Sequence, residues 1–309
     1  MISSRETALP ALQYLETALE VMQAHALMSA SVDWDGLRRE AVARSEGAAS
    51  SADCYPAIEW ALGQLGDHHS FFEPPERGSG AIRDGTYRDE LSLPSLERGD
   101  GDTATLVVPA FRGSPTAACT YADTLRGLVH EASTDGVTGW VVDVAHNGGG
   151  NMLPMIAGLA PLLGAGTVGG FMSADGAVTP WTLDPAGALF IGDEATVPGW
   201  QDALDPALAK APVGVVTGPV TASSGEAVVL SLRGRPRTRS FGAATRGLAT
   251  SNEVFDLADG ASLMVMTAWM VDPQGSKYPG PVVPDVVVSS SEDPPLAQAA
   301  RWAAGTSRA

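Results

Sequence analysis

One residue of this chain whose type and spacing could support covalent chemistry is a serine placed just ahead of an apolar run. Ser223, in the segment PVTASSGEAVVLSL, stands three residues before Glu226. The spacing is typical of a capping box, in which the serine hydroxyl and the glutamate carboxylate satisfy amides of the first helical turn. The same geometry also fits a nucleophile at a strand-to-helix turn, where the free amides of that turn can stabilise an oxyanion. The segment by itself favours the helix cap, because it contains no base.

A serine nucleophile needs a base, and His69 in LGDHHSFF is the best candidate. A neutral imidazole can take the serine proton and later return it to the leaving group. His68 and His69 fall in a polar turn, whereas His25 and His130 fall in helical patterns that favour structural or solvated roles. His146 is an alternative base, because it adjoins the glycine run described next.

The third segment that could support catalysis is VVDVAHNGGGN, in which three glycines follow an apolar strand pattern. Glycines at the end of a strand let the backbone approach a ligand and present amides to a developing negative charge. The simpler alternative is a strand-to-helix turn with Asn147 or Asn151 as the helix cap.

Charge and composition exclude several classes of partner. The chain has 309 residues and a formal net charge of -17, from 36 acidic and 19 basic residues. This charge opposes binding to nucleic acid or to an anionic membrane. Cys54 and Cys119 have neither metal-ligand nor disulfide-framework spacing, so we expect no metal site. No secretory signal or membrane span is visible, which predicts a soluble, cytoplasmic protein.

Hydrophobic periodicity predicts a mixed α/β fold in four parts. Helical stripes place a helical region at 1–75, and Pro, Gly and charge place a linker or short strand at 76–102. Alternating strand and helix patterns place the core at 103–292, followed by a C-terminal tail at 293–309. Within the core, strands are predicted at TATLVVPAF, GWVVDVA, VGVVTG, RTRSFG, NEVFDL and ASLMVMTAW. Helices are predicted around 118–129, after the glycine run and over EAVVLSL.

Five segments together resemble peptidase family S41, the tail-specific or C-terminal processing peptidases, whose core is also that of tricorn protease. LGDHHSFF is similar to the family's LgDpHSxF, VVDVAHNGGGN to DLRxNxGG and TASSGE to tASxxE. FGAATRG is similar to GexTxG, and PGPVVPDVVV to GixPDxxv. The resemblance implies a ClpP/crotonase-like core, and the short linker leaves no evident room for a PDZ insert.

The resemblance also implies roles for single residues. Ser223 matches the nucleophile, and the amides of Ser224 and Gly149 match the oxyanion hole. Glu226 and Thr245 match supporting positions near the nucleophile. Neither a metal nor an organic cofactor is implied.

Two departures from the family pattern change the expected mechanism. Many tail-specific members pair the serine with a lysine where this chain has Leu248, which cannot act as a base. The tricorn-like branch uses a histidine instead, so the resemblance shifts the role of base to His69. Ala145 replaces an arginine usual in DLR, which removes a structural ion pair beside the oxyanion loop.

A catalytic histidine is normally oriented by a carboxylate on its second ring nitrogen. Tyr278 stands where related sequences often carry that acid. Asp272 and Asp67 are the candidate substitutes.

The sequence therefore predicts a serine peptidase that acts on a peptide or a small acyl substrate. Non-catalytic binding of a ligand or peptide on the same fold is the main alternative, favoured by Leu248 and Ala145. An esterase or a peptide cyclase is a third, because hydrolysis and transfer share the acyl-enzyme. Relatives of this fold often form rings, so a homo-oligomer is also open.

Overall fold

The computed structural model describes residues 4–75, 92–99, 101–200, 202–289 and 292–307. By compactness the chain divides into two units. The first comprises residues 1–87, 173–176 and 250–268, and the second comprises 88–172, 177–249 and 269–309. The division differs from the predicted boundary after residue 75, because residues far along the chain return to the N-terminal region. Part of the predicted linker, 76–91, lies outside the described residues.

The first unit is a helical cluster packed on short strands. Its helices are α1 (Ser4–His25), α2 (Trp34–Arg44) and α3 (Tyr55–Gly63), and its strands are β1 (Phe71–Glu73), β11 (Thr250–Asp256) and the first part of β12 (Ser262–Val271). Leu15, Leu19 and Met22 are completely buried on one face of α1, as their helical spacing predicts. β1 pairs antiparallel with the start of β12, and β11 also pairs with β12.

The second unit is built on a mainly parallel sheet in the order β13-β10-β9-β4-β3-β2. The strands are β2 (Ser95–Arg98), β3 (Thr103–Val107), β4 (Gly139–Asp143), β9 (Val213–Thr217), β10 (Thr238–Gly242) and β13 (Val286–Val287). Only the pairing of β2 with β3 is antiparallel in this sheet. The central strands β3, β4 and β9 are mostly apolar and almost entirely buried, because helices cover both faces of the sheet.

Alternate residues of those strands face two different cores. Val142 and Val215 pack in the larger core with α4 (Pro115–Thr134), α5 (Met152–Gly158), α6 (Ala160–Leu163) and α7 (Ser224–Leu232). Val141 and Val216 face the opposite side, against Ala299 of α8 (Pro295–Ser307). The predicted C-terminal tail is therefore a packed helix that closes the second face of the sheet.

A second, antiparallel sheet of this unit was not anticipated from the sequence. It contains β5 (Gly166–Met172), β6 (Val178–Leu183), β7 (Leu189–Ile191) and β8 (Glu194–Val197), with Trp269–Val271 of β12 paired to β5. Its strands are short, and β5 is rich in glycine, so no alternating pattern marks them. The predicted helices and strands of the core are otherwise present, which confirms the mixed α/β fold. Among the described residues, no helix is long and apolar enough to cross a bilayer.

Candidate active site

Two neighbouring strands of the parallel sheet deliver the candidate residues of the second unit. β4 and β9 are hydrogen-bonded in register, with Asp143 opposite Val216. The glycine run follows β4, and the TASSGE segment follows β9. Because parallel strands end at the same edge of a sheet, the two segments meet there. The amide of Ala222 donates to the carbonyl of Asn147 over 3.0 Å, which joins them directly.

Ser223 occupies a strained elbow between β9 and α7. Its backbone angles are φ 51° and ψ -116°, a conformation that glycine adopts readily and other residues rarely do. From Thr221 to Leu232 it is the one residue that is not buried. The turn therefore lifts a single hydroxyl out of an otherwise buried segment, as expected of a nucleophile elbow.

The capping box predicted at Ser223 is present, with both of its halves. The amide of Ser223 donates to Oε2 of Glu226 over 2.9 Å. The hydroxyl oxygen of Ser223 in turn faces the amide of Glu226. A hydroxyl in this position can accept from the helix and still donate its own proton.

Glu226 is a fully buried carboxylate that gathers four donors. Besides the amide of Ser223, they are the hydroxyl of Thr245 at 2.5 Å and the amides of Gly247 at 2.9 Å and Leu248 at 2.7 Å. Burial raises the pKa of Glu226, and the four hydrogen bonds oppose that rise. Four donors on two oxygens match the acceptor capacity of an ionised carboxylate. Glu226 therefore ties the elbow to the 245–248 loop.

The glycine run approaches Ser223 more closely than any other residue type would allow. A Cβ atom added to Gly149 would lie 2.9 Å from Cβ of Ser223, and the φ of Gly149 is +107°. Its amide donates to Oδ1 of Asn147 over 3.0 Å. The buried Asn147 also donates to the carbonyl of Val108 over 3.0 Å. Asn147 was predicted only as a helix cap, whereas in the structure its side chain holds the glycine run in place.

The two predicted oxyanion donors therefore differ in availability. Ser224 is the first helical residue of α7, and its amide belongs to the turn whose donors have no partner within the helix. Its hydroxyl donates to the carbonyl of Gly150 over 2.6 Å, which fixes the glycine run to the elbow. The amide of Gly149 becomes free only when the side chain of Asn147 releases it. Asn151, the other proposed cap, does cap α5 through the amide of Leu153.

His69 belongs to the first unit, where three contacts fix it. Its amide donates to Oδ1 of Asp67 over 2.9 Å, and its carbonyl accepts from the side chain of Asn252 over 2.7 Å. Its Nδ1 lies 2.6 Å from the hydroxyl of Thr250, which is buried. Burial lowers the pKa of His69, and the carboxylate of Asp67 partly opposes this. The imidazole is thus held in one orientation and is disposed to stay neutral.

Each of the two candidate carboxylates has partners other than the ring of His69. Asp67 is engaged with the backbone amides of His69 and Ser70 and with the Ser70 hydroxyl. Asp272 accepts from the amides of Gln274 and Ser276 and from the hydroxyl of Tyr278. Thr250 was not predicted from the sequence, because a threonine 181 positions from His69 belongs to no motif.

The other four histidines either contact an aromatic ring or are exposed to solvent. The ring of His25 stacks near Phe255, and the ring of His130 meets Trp200 edge to face. His68 is exposed, and so is His146 in the turn before the glycine run. Among the described residues, no cluster of three or more His, Cys, Asp or Glu could hold a metal.

Comparison with known proteins agrees with this architecture. The model of peptidase family S41 matches residues 102–288. The nisin-resistance protein of Lactococcus lactis subsp. lactis is 27% identical over 281 residues, which are 91% of this chain and 84% of that protein. A lipoprotein from Streptococcus agalactiae has a solved structure that is 26% identical, covers 96% of both chains and superposes with a TM-score of 0.78.

The photosystem II D1 C-terminal processing protease shares the fold at 16% identity, with a TM-score of 0.65 over 94% of this chain and 96% of that one. The family model spans more than half of the sequence and contains both the glycine run and the serine elbow. The chain therefore belongs to peptidase family S41.

Proposed function

We propose that this protein is a serine peptidase in which Ser223 attacks a peptide carbonyl. His69 takes the proton of Ser223 and then donates it to the leaving amine. The amides of Ser224 and Gly149 stabilise the oxyanion, and water releases the peptide from the acyl-enzyme. Neither the formation nor the hydrolysis of the acyl-enzyme requires a metal or an organic cofactor.

The observation that carries this proposal is the conformation of Ser223. A non-glycine residue at φ 51° costs of order 1–3 kcal/mol. A simple helix cap has no need of that strain, since caps ordinarily take the extended region. The buried Glu226 and the close approach of Gly149 also serve this one elbow. A binding protein would have no need of this strain.

The first experiment is labelling with a fluorophosphonate probe, with the adduct located by mass spectrometry. We expect an adduct on Ser223 that is lost in Ser223→Ala and strongly reduced in His69→Ala. Ser31→Ala and His130→Ala are matched controls on exposed side chains, and both should label like the wild type. Labelling that survives His69→Ala and fails in His146→Ala would transfer the role of base to His146.

Folded wild-type protein that takes no label would favour the alternative, a non-catalytic binding protein on the S41 fold. A labelled serine without peptide hydrolysis would favour an esterase or an acyl-transferring enzyme such as a peptide cyclase. Adding a primary amine to the assay separates these two, because only transfer yields an amide product.

The similarity to a nisin-resistance protein supplies the first peptide to test. We propose that this chain cleaves a peptide of that kind, and its net charge of -17 favours neutral or cationic peptides over acidic ones. Mass spectrometry of nisin incubated with the wild type and with Ser223→Ala tests this directly. Intact nisin after prolonged incubation with protein that labels at Ser223 would restrict the proposal to other peptides.

The cellular location is also a proposal. The cytoplasmic location expected from the sequence stays a prediction, whereas similarity to a lipoprotein from Streptococcus agalactiae favours attachment at a membrane surface. Fractionation of the producing cells decides between them, since attachment would place the protein in the membrane fraction.

A further inference from the structure

The ring of His69 meets a hydroxyl where serine peptidases usually place a carboxylate. Its Nδ1 lies 2.6 Å from Oγ1 of Thr250, a residue that is only 4% exposed. A carboxylate can only accept a hydrogen bond, so it holds the proton on Nδ1. A hydroxyl can accept or donate, so the tautomer of His69 depends on which group supplies the proton.

The choice of tautomer decides whether His69 can be a base at all. If Nδ1–H donates to Thr250, the lone pair of Nε2 is free to take a proton. If the threonine hydroxyl donates to Nδ1, the proton of the neutral ring sits on Nε2, and that nitrogen cannot accept another. A working base therefore needs the first arrangement.

Strand β11 holds His69 at two points with side chains from a single face. Residues two apart on a strand point to the same side, and Thr250 and Asn252 are such a pair. Thr250 contacts the ring, while the amide of Asn252 donates to the carbonyl of His69 over 2.7 Å. Asp67 fixes the other end of the residue through its amide. Backbone and ring are thus restrained separately.

Among the described residues of the first unit, the charged group that acts on His69 is Asp67, whose negative charge favours the protonated imidazole. It acts without a bond to the ring, since its oxygens are engaged with the amides of His69 and Ser70 and with the Ser70 hydroxyl. The partners on β11, Thr250 and Asn252, are neutral. In this arrangement Thr250 orients the imidazole ring, and Asp67 supplies the negative charge that favours the imidazolium.

We propose that Thr250 is a positioning residue that accepts a hydrogen bond from Nδ1–H of His69 and so keeps Nε2 free as the base. The inference rests on the proposed peptidase function for its purpose. Its structural content, the tautomer and its dependence on Thr250, can be tested without activity. When Nε2 takes the proton of Ser223, Nδ1–H keeps the same acceptor, and the imidazolium needs no rearrangement.

The direct test is nitrogen NMR of protein labelled with ¹⁵N-histidine, at a pH above the titration of His69. The signals of His69 are identified by their loss in His69→Gln. We expect the wild type to show a protonated Nδ1 and an unprotonated Nε2. Thr250→Val should convert His69 to a mixture rich in the Nε2–H form, while Thr250→Ser should keep the wild-type pattern.

Ser251→Ala is the matched control, because it lies on the opposite face of the same strand and should leave the signals unchanged. A wild-type ring protonated on Nε2, or a pattern unaltered in Thr250→Val, would overturn the proposal. If Thr250→Val does not fold, the same comparison is made with Thr250→Ala, and the wild-type spectrum by itself shows which nitrogen of His69 carries the proton.

Kinetics then connect the tautomer to catalysis. Thr250→Val should lower kcat about tenfold with little change in KM, since a single neutral hydrogen bond is lost and Thr250 does not bind substrate. Thr250→Ser should restore kcat to within about twofold of the wild type. Wild-type protein with the predicted tautomer and no peptidase activity would refute the proposed function and leave the role of Thr250 intact. Full kcat in Thr250→Val would count against the positioning role.

Discussion

The amide of Ser223 donates to the buried carboxylate of Glu226 over 2.9 Å, while the same carboxylate accepts from the 245–248 loop. The conformation of the proposed nucleophile is therefore set by an acid that has no contact with solvent. In this arrangement the glutamate of TASSGE is a support for the elbow, and its four donors depend on its remaining an acceptor.

Replacement of Glu226 should damage both stability and the elbow. Glu226→Gln turns one acceptor oxygen into a donor that faces N–H and O–H groups, so at least one buried donor loses its partner. We expect a loss of about 1–3 kcal/mol in the free energy of unfolding. We also expect slower fluorophosphonate labelling of Ser223. Urea unfolding measures the first effect, and Glu20→Gln on an exposed side chain is the control. Equal stability of both variants would show that the four-donor arrangement contributes nothing.

The neighbouring glycines Gly148 and Gly149 should respond very differently to the same change. Gly149→Ala places a methyl group 2.9 Å from Cβ of Ser223 at a φ of +107°. A displaced elbow, a stability loss of about 1–3 kcal/mol and little labelling are expected. Gly148→Ala meets no atom within 4 Å and has no positive φ, so it should stay close to wild type. Thermal melts and labelling rates of the pair make the comparison. Equal labelling in the two variants would contradict the close approach.

Strain at Ser223 predicts a trade of function for stability. Glycine adopts φ 51° and ψ -116° without cost, whereas alanine keeps the steric conflict of serine. We therefore expect Ser223→Gly to be about 1 kcal/mol more stable than Ser223→Ala. Both should be inactive. Paired urea unfolding curves test this, and an alanine variant at least as stable as the glycine variant would show that the backbone is unstrained.

The pH dependence should reflect the burial of His69. The pKa of His69 lies below the ordinary value of about 6.5, so the neutral base persists to lower pH. The midpoint of the acid limb of the kcat/KM profile should therefore lie below that value. Asp67→Asn removes the charge that opposes this shift and should move the limb lower still. A profile of kcat/KM from acid to neutral pH measures both. A limb above the ordinary value, or one that rises in Asp67→Asn, would refute the assignment.

The same shift has a consequence for folding. A histidine with a lower pKa in the folded protein takes up its proton more readily when unfolded. The contribution of His69 to stability is therefore lost as pH falls from the unfolded value toward the folded one. His69→Gln should be less sensitive than the wild type across that range, as urea unfolding at stepped pH would show.

Much of the core followed from local pattern. The face of α4 and strands β4 and β9 were predictable, because apolar residues recur there with helical spacing or in continuous buried runs. The small sheet of β5 to β8 was not, since its strands are only three to seven residues long and glycine interrupts β5. A tail was expected at 293–309, whereas Ala299 and Ala303 of the helix at 295–307 are fully buried, with Leu296, Ala300 and Trp302 packed beside the sheet.

The sequence by itself determined which residues could do chemistry, and in what order they follow two strands and a turn. It also excluded Leu248 as a base, because side-chain chemistry is a local property. Only the tertiary structure decided which partners meet: Thr250 at the ring of His69, the carbonyl of Val108 at the side chain of Asn147, and the 245–248 loop at Glu226. These contacts join residues that are neighbours only after strands pair and turns close, so no local pattern records them.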